Sequence, residues 1–347
     1  MAKPRLFNMD LHISVIEDFD NLFKDRFDIV KWTLSGHAWV LGKQTQQPKH
    51  INAETWKNLD KKMIDDFCHE YDSFLRNFDG FICGHPNSFC LIFERYNKPI
   101  ILINTCRYDM PFCWSLNTNM IQEYHNCLKR LNNQQKLILV SNNLFDREYF
   151  RIGTGLRPSH IPSLCLYTGI DYTPKRDEYL LFYGSGNIPP PVHPLIMSKE
   201  RAFSGRPYQW SAIGEFQGVI YFSYEISTMS MFEHFSAGIP MFFPSKKFYQ
   251  DHPTCGFISF GAYWGSNTPK YKQESLVLAN REKWISLSDW ESTFGKWGDN
   301  IFFFDTYDQL YKMLESKKGK LIKGNRKKYL DKAIERWNST LDRFFPK

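Results

Sequence analysis

No C-x-x-C pair occurs among the eight cysteines of this 347-residue chain, so neither the spacing of a zinc site nor the framework of a secreted disulfide scaffold is present. Reduced thiols are expected, and with them a cytoplasmic protein. No apolar run approaches the ~20 residues that cross a bilayer. The opening MAKPRLFNMDLHIS has no continuous apolar stretch of the signal-peptide kind, so a soluble chain is expected. No segment repeats at solenoid spacing. Nucleic-acid binding is excluded because no element interleaves basic and aromatic residues along one strip. The net charge of +7 gathers instead around Lys317 to Lys328. A solvated tail is the first reading of that patch, and weak contact with an anionic membrane surface or glycan the second. The one D-x-D triplet, Asp18-Phe19-Asp20, falls inside a helical pattern rather than after a strand, where it does not make a metal site.

Aromatic residues are abundant, at 17% with thirty Phe and ten Trp. A chain of this length carries two cores of ordinary size, and such residues fill them. The informative stretch runs from Val219 to Ser245, VIYFSYEISTMSMFEHFSAGIPMFFPS. Val219-Ile220-Tyr221-Phe222 reads as a buried parallel strand. Ser227, Thr228, Met229 and Ser230 start a helix with Ser227 as N-cap. Met231, Phe232 and Phe235 face a core, Gly238 stops the helix, and Ile239 to Phe243 form the next strand. Such a strand-turn-helix gathers unpaired N–H groups at the turn, a place that favours phosphate. Glu225 and Glu233, with seven residues between them, put one carboxylate in that turn and one almost two turns along the helix.

This segment resembles the E-x7-E donor site of GT-B fold glycosyltransferases, including the trailing Ala237-Gly238-Ile239-Pro240. The resemblance implies an α/β protein of two Rossmann-like domains facing a cleft, with a C-terminal helix crossing back to the first. It implies that Glu233 binds the ribose hydroxyls of a nucleotide and that Glu225 lies near the donor sugar. Composition is similar to that of soluble transferases from bacteria or large algal viruses.

The amino half alternates apolar runs with helical patterns, which predicts a parallel sheet. Strands are expected at Arg5 to Met9, Asp28 to Leu34, Phe78 to Cys83, Pro99 to Asn104 and Leu137 to Val140. Ligands of such sheets bind beyond the carboxyl ends of the strands, where Asp10, His12, His37, His85, Arg107, Tyr108 and Asn142 fall. These residues are expected to rim an acceptor pocket. Tyr167 to Tyr179 reads as a linker. A new sheet begins at Tyr179 to Tyr183 and delivers Gly184-Ser185-Gly186, which in GT-B enzymes faces the donor. Residues 187 to 200 read as Pro-rich and irregular. Arg201 or Arg206, with Tyr208 nearby, is expected to meet a diphosphate. The domains expected are 1–170 for the acceptor, 178–325 for the nucleotide sugar, and 326–347 as the returning helix.

The activity expected is transfer of a hexosyl, deoxyhexosyl or pentosyl group from a nucleotide diphosphate sugar, UDP favoured, to a hydroxyl of a glycan acceptor. No metal or other cofactor is called for. Inversion is favoured, with His12 as base and Asp10 as alternative base or as the group that orients its ring. The E-x7-E pattern is most at home in retaining members, which need no such base. A non-catalytic nucleotide-sugar or glycan-binding protein, a nucleotide-sugar epimerase and a phosphorylase are the competing readings.

Overall fold

Two all-parallel sheets organise the chain. The computed structural model describes residues 2–115, 117–184, 188–203, 210–223, 225–252, 285–294, 300–317 and 326–346. Most of the basic patch around Lys317 to Lys328 lies outside them. The described residues up to Ser163, joined by those from Ala333 on, form one unit; those between Leu164 and Lys332 form the other.

In the first unit β1 (Arg5–Asp10), α1 (Ile13–Phe23), β2 (Asp28–Thr33), α2 (Lys61–Leu75), β3 (Gly80–Cys83), α3 (Cys90–Phe93) and β4 (Ile100–Asn104) follow in turn. Then come α4 (Phe112–Ser115), α5 (Thr118–Asn133), β5 (Leu137–Ser141), α6 (Leu144–Thr154) and β6 (Ser159–His160). The strand order is β2-β1-β3-β4-β5-β6. Every pairing is parallel, with Leu6 opposite Ile29 on one side of β1 and opposite Gly80 on the other.

The central strands β3 and β4 are buried throughout and apolar up to Asn104, the pattern of a sheet covered on both faces. Phe7 of β1 is fully buried and meets Trp32, Phe74, Phe78 and Phe93 at ring separations of 5.1 to 5.8 Å. Mixed edge-on and tilted contacts of this kind each add about 0.5–1.5 kcal/mol beyond burial.

The second unit holds β7 (Tyr179–Tyr183), β8 (Ile196–Ser198), α7 (Lys199–Phe203), α8 (Trp210–Ile213) and β9 (Val219–Phe222). It continues with α9 (Met229–Ala237), β10 (Met241–Pro244), α10 (Lys246–Asp251), β11 (Ile301–Phe304) and α11 (Tyr307–Lys317). Its strand order is β11-β10-β9-β7-β8, again wholly parallel. Read from β7, this is the same 2-1-3-4-5 winding as the first sheet. In each, the chain reverses direction across the sheet between its first and third strands, so that loops from both open a crevice there. Those switch points are β1/β3 and β7/β9.

The last helix, α12 (Arg326–Leu341), contributes its residues from Ala333 to the first unit. Trp337 packs against Phe19 and Phe23 at 5.4 and 5.8 Å, Phe345 against Phe27 at 5.2 Å, and Arg26 pairs with Asp342 at 2.7 Å.

Three local readings differ from expectation. The two-residue β6 and three-residue β8 are additional edge strands, and β8 runs through the stretch expected to be irregular. The N-cap of α9 is Thr228 rather than Ser227: its backbone is extended, φ −140° and ψ 146°, and the helix begins at Met229. The start of the expected linker is packed structure, for Tyr167 hydrogen bonds to Glu233 of α9.

Candidate functional site

β1 ends in Asp10, whose carboxylate stitches two loops together. Oδ1 accepts the His12 N–H at 2.8 Å and Oδ2 accepts the His85 N–H at 2.8 Å. The Leu11 N–H donates to the His85 carbonyl at 2.7 Å and closes the loop pair from the other side. Gly84 is required by this arrangement, since a Cβ there would stand 2.4 Å from Asp10 Oδ2 and 2.6 Å from Val15 Cγ1. Burial pushes the Asp10 carboxyl up to about 7 against the pull of the backbone N–H groups of His12, His85, Gly84 and Leu11. The carboxylate thus holds the loops by their backbones.

His12 occupies the N-cap position of α1 without a side-chain cap bond. Its Nδ1 is buried and has no hydrogen-bond partner among the described residues. The ring lies 6.0 Å from that of His85 at 77°. Burial, and then the charge of His37, lowers His12 to about 4. Burial, then His12, then Arg107, lowers His85 to about 3. Both are therefore neutral imidazoles at neutral pH, the form that accepts a proton.

His37 itself is exposed, its N–H on Ser35 Oγ at 3.1 Å, and it precedes Trp39, 51% exposed. Among the described residues no three His, Cys, Asp or Glu side chains are grouped to hold a metal ion.

Arg107, Tyr108 and Asn142 are placed differently from the histidines. All three are buried at the ends of β4 and β5. Arg107 lies 3.4 Å from Asp146 Oδ1, and the Asn142 Nδ2 donates to Ser163 Oγ at 3.3 Å while its Oδ1 accepts from Asn143 at 2.9 Å. Asn143 in turn caps α6 through the Asp146 N–H at 2.7 Å. The Tyr108 hydroxyl is 2.9 Å from His125 Nε2, and its ring packs on Phe150 at 4.8 Å. These groups build a polar network beneath the loops, from which the charge of Arg107 still reaches His85.

At the second switch point Gly184 is exposed after β7, its N–H bonded to the Phe222 carbonyl at 2.8 Å. Ser185, Gly186, Arg206 and Tyr208 lie outside the described residues. After β9, Ser223 Oγ donates to the Glu225 carbonyl at 2.5 Å and accepts the Glu225 N–H at 3.2 Å, a tight hydroxyl turn. Glu225 is half-buried, as are Ser227, Thr228 and Ser230. The hydroxyls of Thr228 and Ser230 stand 3.0 Å apart, and neither caps α9. Helix N–H groups lacking a side-chain cap are open to water or a ligand.

Glu233 is 4% exposed. Its Oε1 accepts from the Tyr167 hydroxyl and its Oε2 from Trp210 Nε1 at 2.8 Å. Lys199 lies with its ammonium 5.1 Å from the centre of the Phe182 ring; burial lowers it, while Glu200 and Glu233 hold it up. Beside Glu233, the wholly buried His234 takes a 2.5 Å bond between Nδ1 and the Tyr221 hydroxyl.

Tyr167, Trp210, Lys199 and His234 went unread in the sequence. Trp210 stands two residues after Tyr208 and His234 adjoins Glu233, but Tyr167 was read only as the start of a linker.

No family model and no curated protein matches the chain. Among solved structures it is similar to the calicheamicin glycosyltransferase CalG4, at 10% identity and a TM-score of 0.38. It is also similar to a glycosyltransferase of kitacinnamycin, at 10% identity and a TM-score of 0.46. Each alignment covers 100% of both chains. The functional reading rests on the residues themselves.

Proposed function

We propose that this chain transfers a sugar from a nucleotide diphosphate sugar, UDP-linked, to a hydroxyl of a glycan acceptor. The second unit holds the donor. Its diphosphate sits at the N-terminus of α9, where the Ser227, Thr228 and Ser230 hydroxyls, the open N–H groups and the helix dipole receive the charge. Lys199 adds a cation on the same side, so no metal is required. Glu233 accepts the two ribose hydroxyls and Glu225 contacts the sugar.

The first unit presents the acceptor beside His12, with His85 and His37 on the same rim. The neutral His12 imidazole takes the acceptor proton as the acceptor oxygen bonds to the anomeric carbon. The bond from that carbon to the diphosphate breaks, and its electrons leave with the nucleotide. One attack on the face opposite the leaving group inverts configuration.

The observation that carries this reading is Glu233, a carboxylate buried on α9 just beyond the carboxyl end of β9 at the sheet's switch point. Its test is a thermal-shift screen with UDP, GDP, CMP, TDP and their sugars, with and without Mg²⁺. A ligand at a hundred times its dissociation constant adds about 2.7 kcal/mol. The expected result is stabilisation by UDP forms, independent of Mg²⁺ and lost in Glu233→Gln. No stabilisation by any nucleotide would sink the reading.

A further inference from the structure

β6 is the outer strand of the first sheet, so one row of its backbone groups faces no partner strand. The Ile161 N–H just after it turns inward to the Ser141 carbonyl at 3.0 Å. By the alternation of a strand, the Pro158 and His160 carbonyls turn outward. Two arginines from different helices meet them. Arg147 of α6 donates through Nε to the Pro158 carbonyl at 2.9 Å, and Arg336 of α12 through Nη1 to the His160 carbonyl at 3.2 Å. Both helices are fixed nearby, α6 by its Asn143 cap and α12 by Trp337 against Phe19 and Phe23. A third arginine, Arg157, precedes the strand and is exposed.

These three charges are not neutralised by the protein. Arg26, Arg95, Arg130 and Arg151 of the same unit each pair with a carboxylate at 2.5 to 2.8 Å. Among the described residues no carboxylate pairs with Arg147, Arg157 or Arg336. Of the two acids flanking Arg147, Asp146 is engaged by Arg107 and Asn143, and Glu148 is gripped through both oxygens by Arg151 at 2.8 and 2.9 Å. The charges also feel one another: burial first, then Arg157, lowers Arg147, and Arg336 lowers it further, with Glu148 alone opposing. A charge on an edge strand guards it against pairing. Guarding does not require three guanidiniums to repel one another without a counter-ion.

We propose that Arg147, Arg157 and Arg336 form an anion site at the open edge of the first sheet, taking a phosphate group. Each of the two bonded guanidiniums spends one of its five N–H donors on a carbonyl and keeps four. Their carbonyls stand two residues apart, about 6.6 Å along the strand, so the guanidiniums flank a gap that a tetrahedral oxyanion bridges. Guanidinium remains charged across the physiological range and matches phosphate in paired bonds. The site is separate from the proposed transfer, since β4 and β5 stand between β6 and the β1/β3 switch point.

The test is thermal unfolding of the full chain in sodium phosphate and in sodium chloride of equal ionic strength, for wild type, Arg157→Gln and Arg336→Gln. Arg157→Gln removes no hydrogen bond of the fold among the described residues, so it keeps the test open if Arg336→Gln unfolds. Wild type should be stabilised by phosphate beyond chloride. The apparent dissociation constant for phosphate should rise about tenfold in each variant, the loss of one charge-assisted contact.

Equal stability of wild type in the two salts would mean that the arginines only guard the sheet edge, and overturns the proposal. Stabilisation by phosphate that both variants retain puts the anion elsewhere, the N-terminus of α9 included, and overturns it as well. Sedimentation with phosphatidylcholine vesicles, with and without phosphatidic acid, separates the sources of the phosphate. Cosedimentation that needs phosphatidic acid and is lost in Arg157→Gln supports the site with a lipid headgroup as its ligand. Phosphate stabilisation without cosedimentation supports it with a soluble phosphate.

Discussion

A methyl group at position 84 has nowhere to go: it meets Asp10 Oδ2 at 2.4 Å and Val15 Cγ1 at 2.6 Å. The carboxylate is pinned by the N–H groups of His12 and His85 and cannot retreat without breaking them. Gly84→Ala should therefore cost about 1–3 kcal/mol, in the range of overpacked cores, read as a lower urea midpoint at unchanged slope. A midpoint equal to wild type would show that Asp10 does not fix the loop. For His12, which the proposed function makes the base, the expected effect is on turnover instead. His12→Ala should lower turnover about 10²-fold or more and leave UDP affinity in titration unchanged. Unaltered turnover would remove His12 as the base. At this scale the sequence was only partly legible. Asp10, His12 and His85 could be placed together beyond the strand ends because the rule that ligands gather there needs only the strand ends. Tyr167 was not, because its bond to Glu233 spans 66 residues and arises from packing alone.

Among elements, side chains cap some helices and leave others, α1, α3 and α9 among them, without a cap bond. Side chains cap α2, α5, α6 and α10: Asp60, Asn117, Asn143 and Ser245 each accept an N–H of the first turn. The two longer helices that follow the switch-point strands, α1 after β1 and α9 after β9, have no such bond. Cap residues normally add about 0.5–2 kcal/mol, so both helices forgo that stability, α9 at the place where the proposed function needs open N–H groups. The central strands were readable because a strand covered on both faces is a continuous apolar run. The edge strands β6 and β8 were not, being two and three residues long, with Ser159-His160 as the whole of β6. The final helix occupies Arg326–Leu341 within the 326–347 stretch expected to be helical, and Trp337 supplies its anchor against Phe19 and Phe23. Trp337→Ala should cost about 3–5 kcal/mol, as for other buried aromatic truncations. Chemical denaturation checks this, and a loss under 1 kcal/mol would mean that α12 contributes little to the first unit.

Across the whole molecule the same winding occurs twice, although the sequence carries no repeat at solenoid spacing. A parallel sheet demands only apolar strands, helices between them and right-handed crossovers, conditions that dissimilar sequences meet equally. Burial inside these sheets also sets how stability responds to acid. His12, His85 and His234 are lowered to about 4, 3 and 3, each chiefly by burial. As pH falls below 6.5, the unfolded chain binds protons at these rings that the folded chain refuses, so each ring makes acid destabilising. Asp10, Asp146 and Glu291 are raised by burial and act in the opposite sense. The net slope mixes the two groups, and a single substitution separates them. His234 is the cleanest case, since it is wholly buried and its Nδ1 rests on the Tyr221 hydroxyl. Gln at this position retains a hydrogen-bonding group and removes the titration. Between pH 6.5 and 4.5, wild type should lose about 2 kcal/mol more than His234→Gln, the integral of one unfolded-state proton over that window. Urea unfolding at the two pH values reads the difference directly. Equal losses in the two proteins would mean that the folded state protonates His234 as readily as the unfolded chain does.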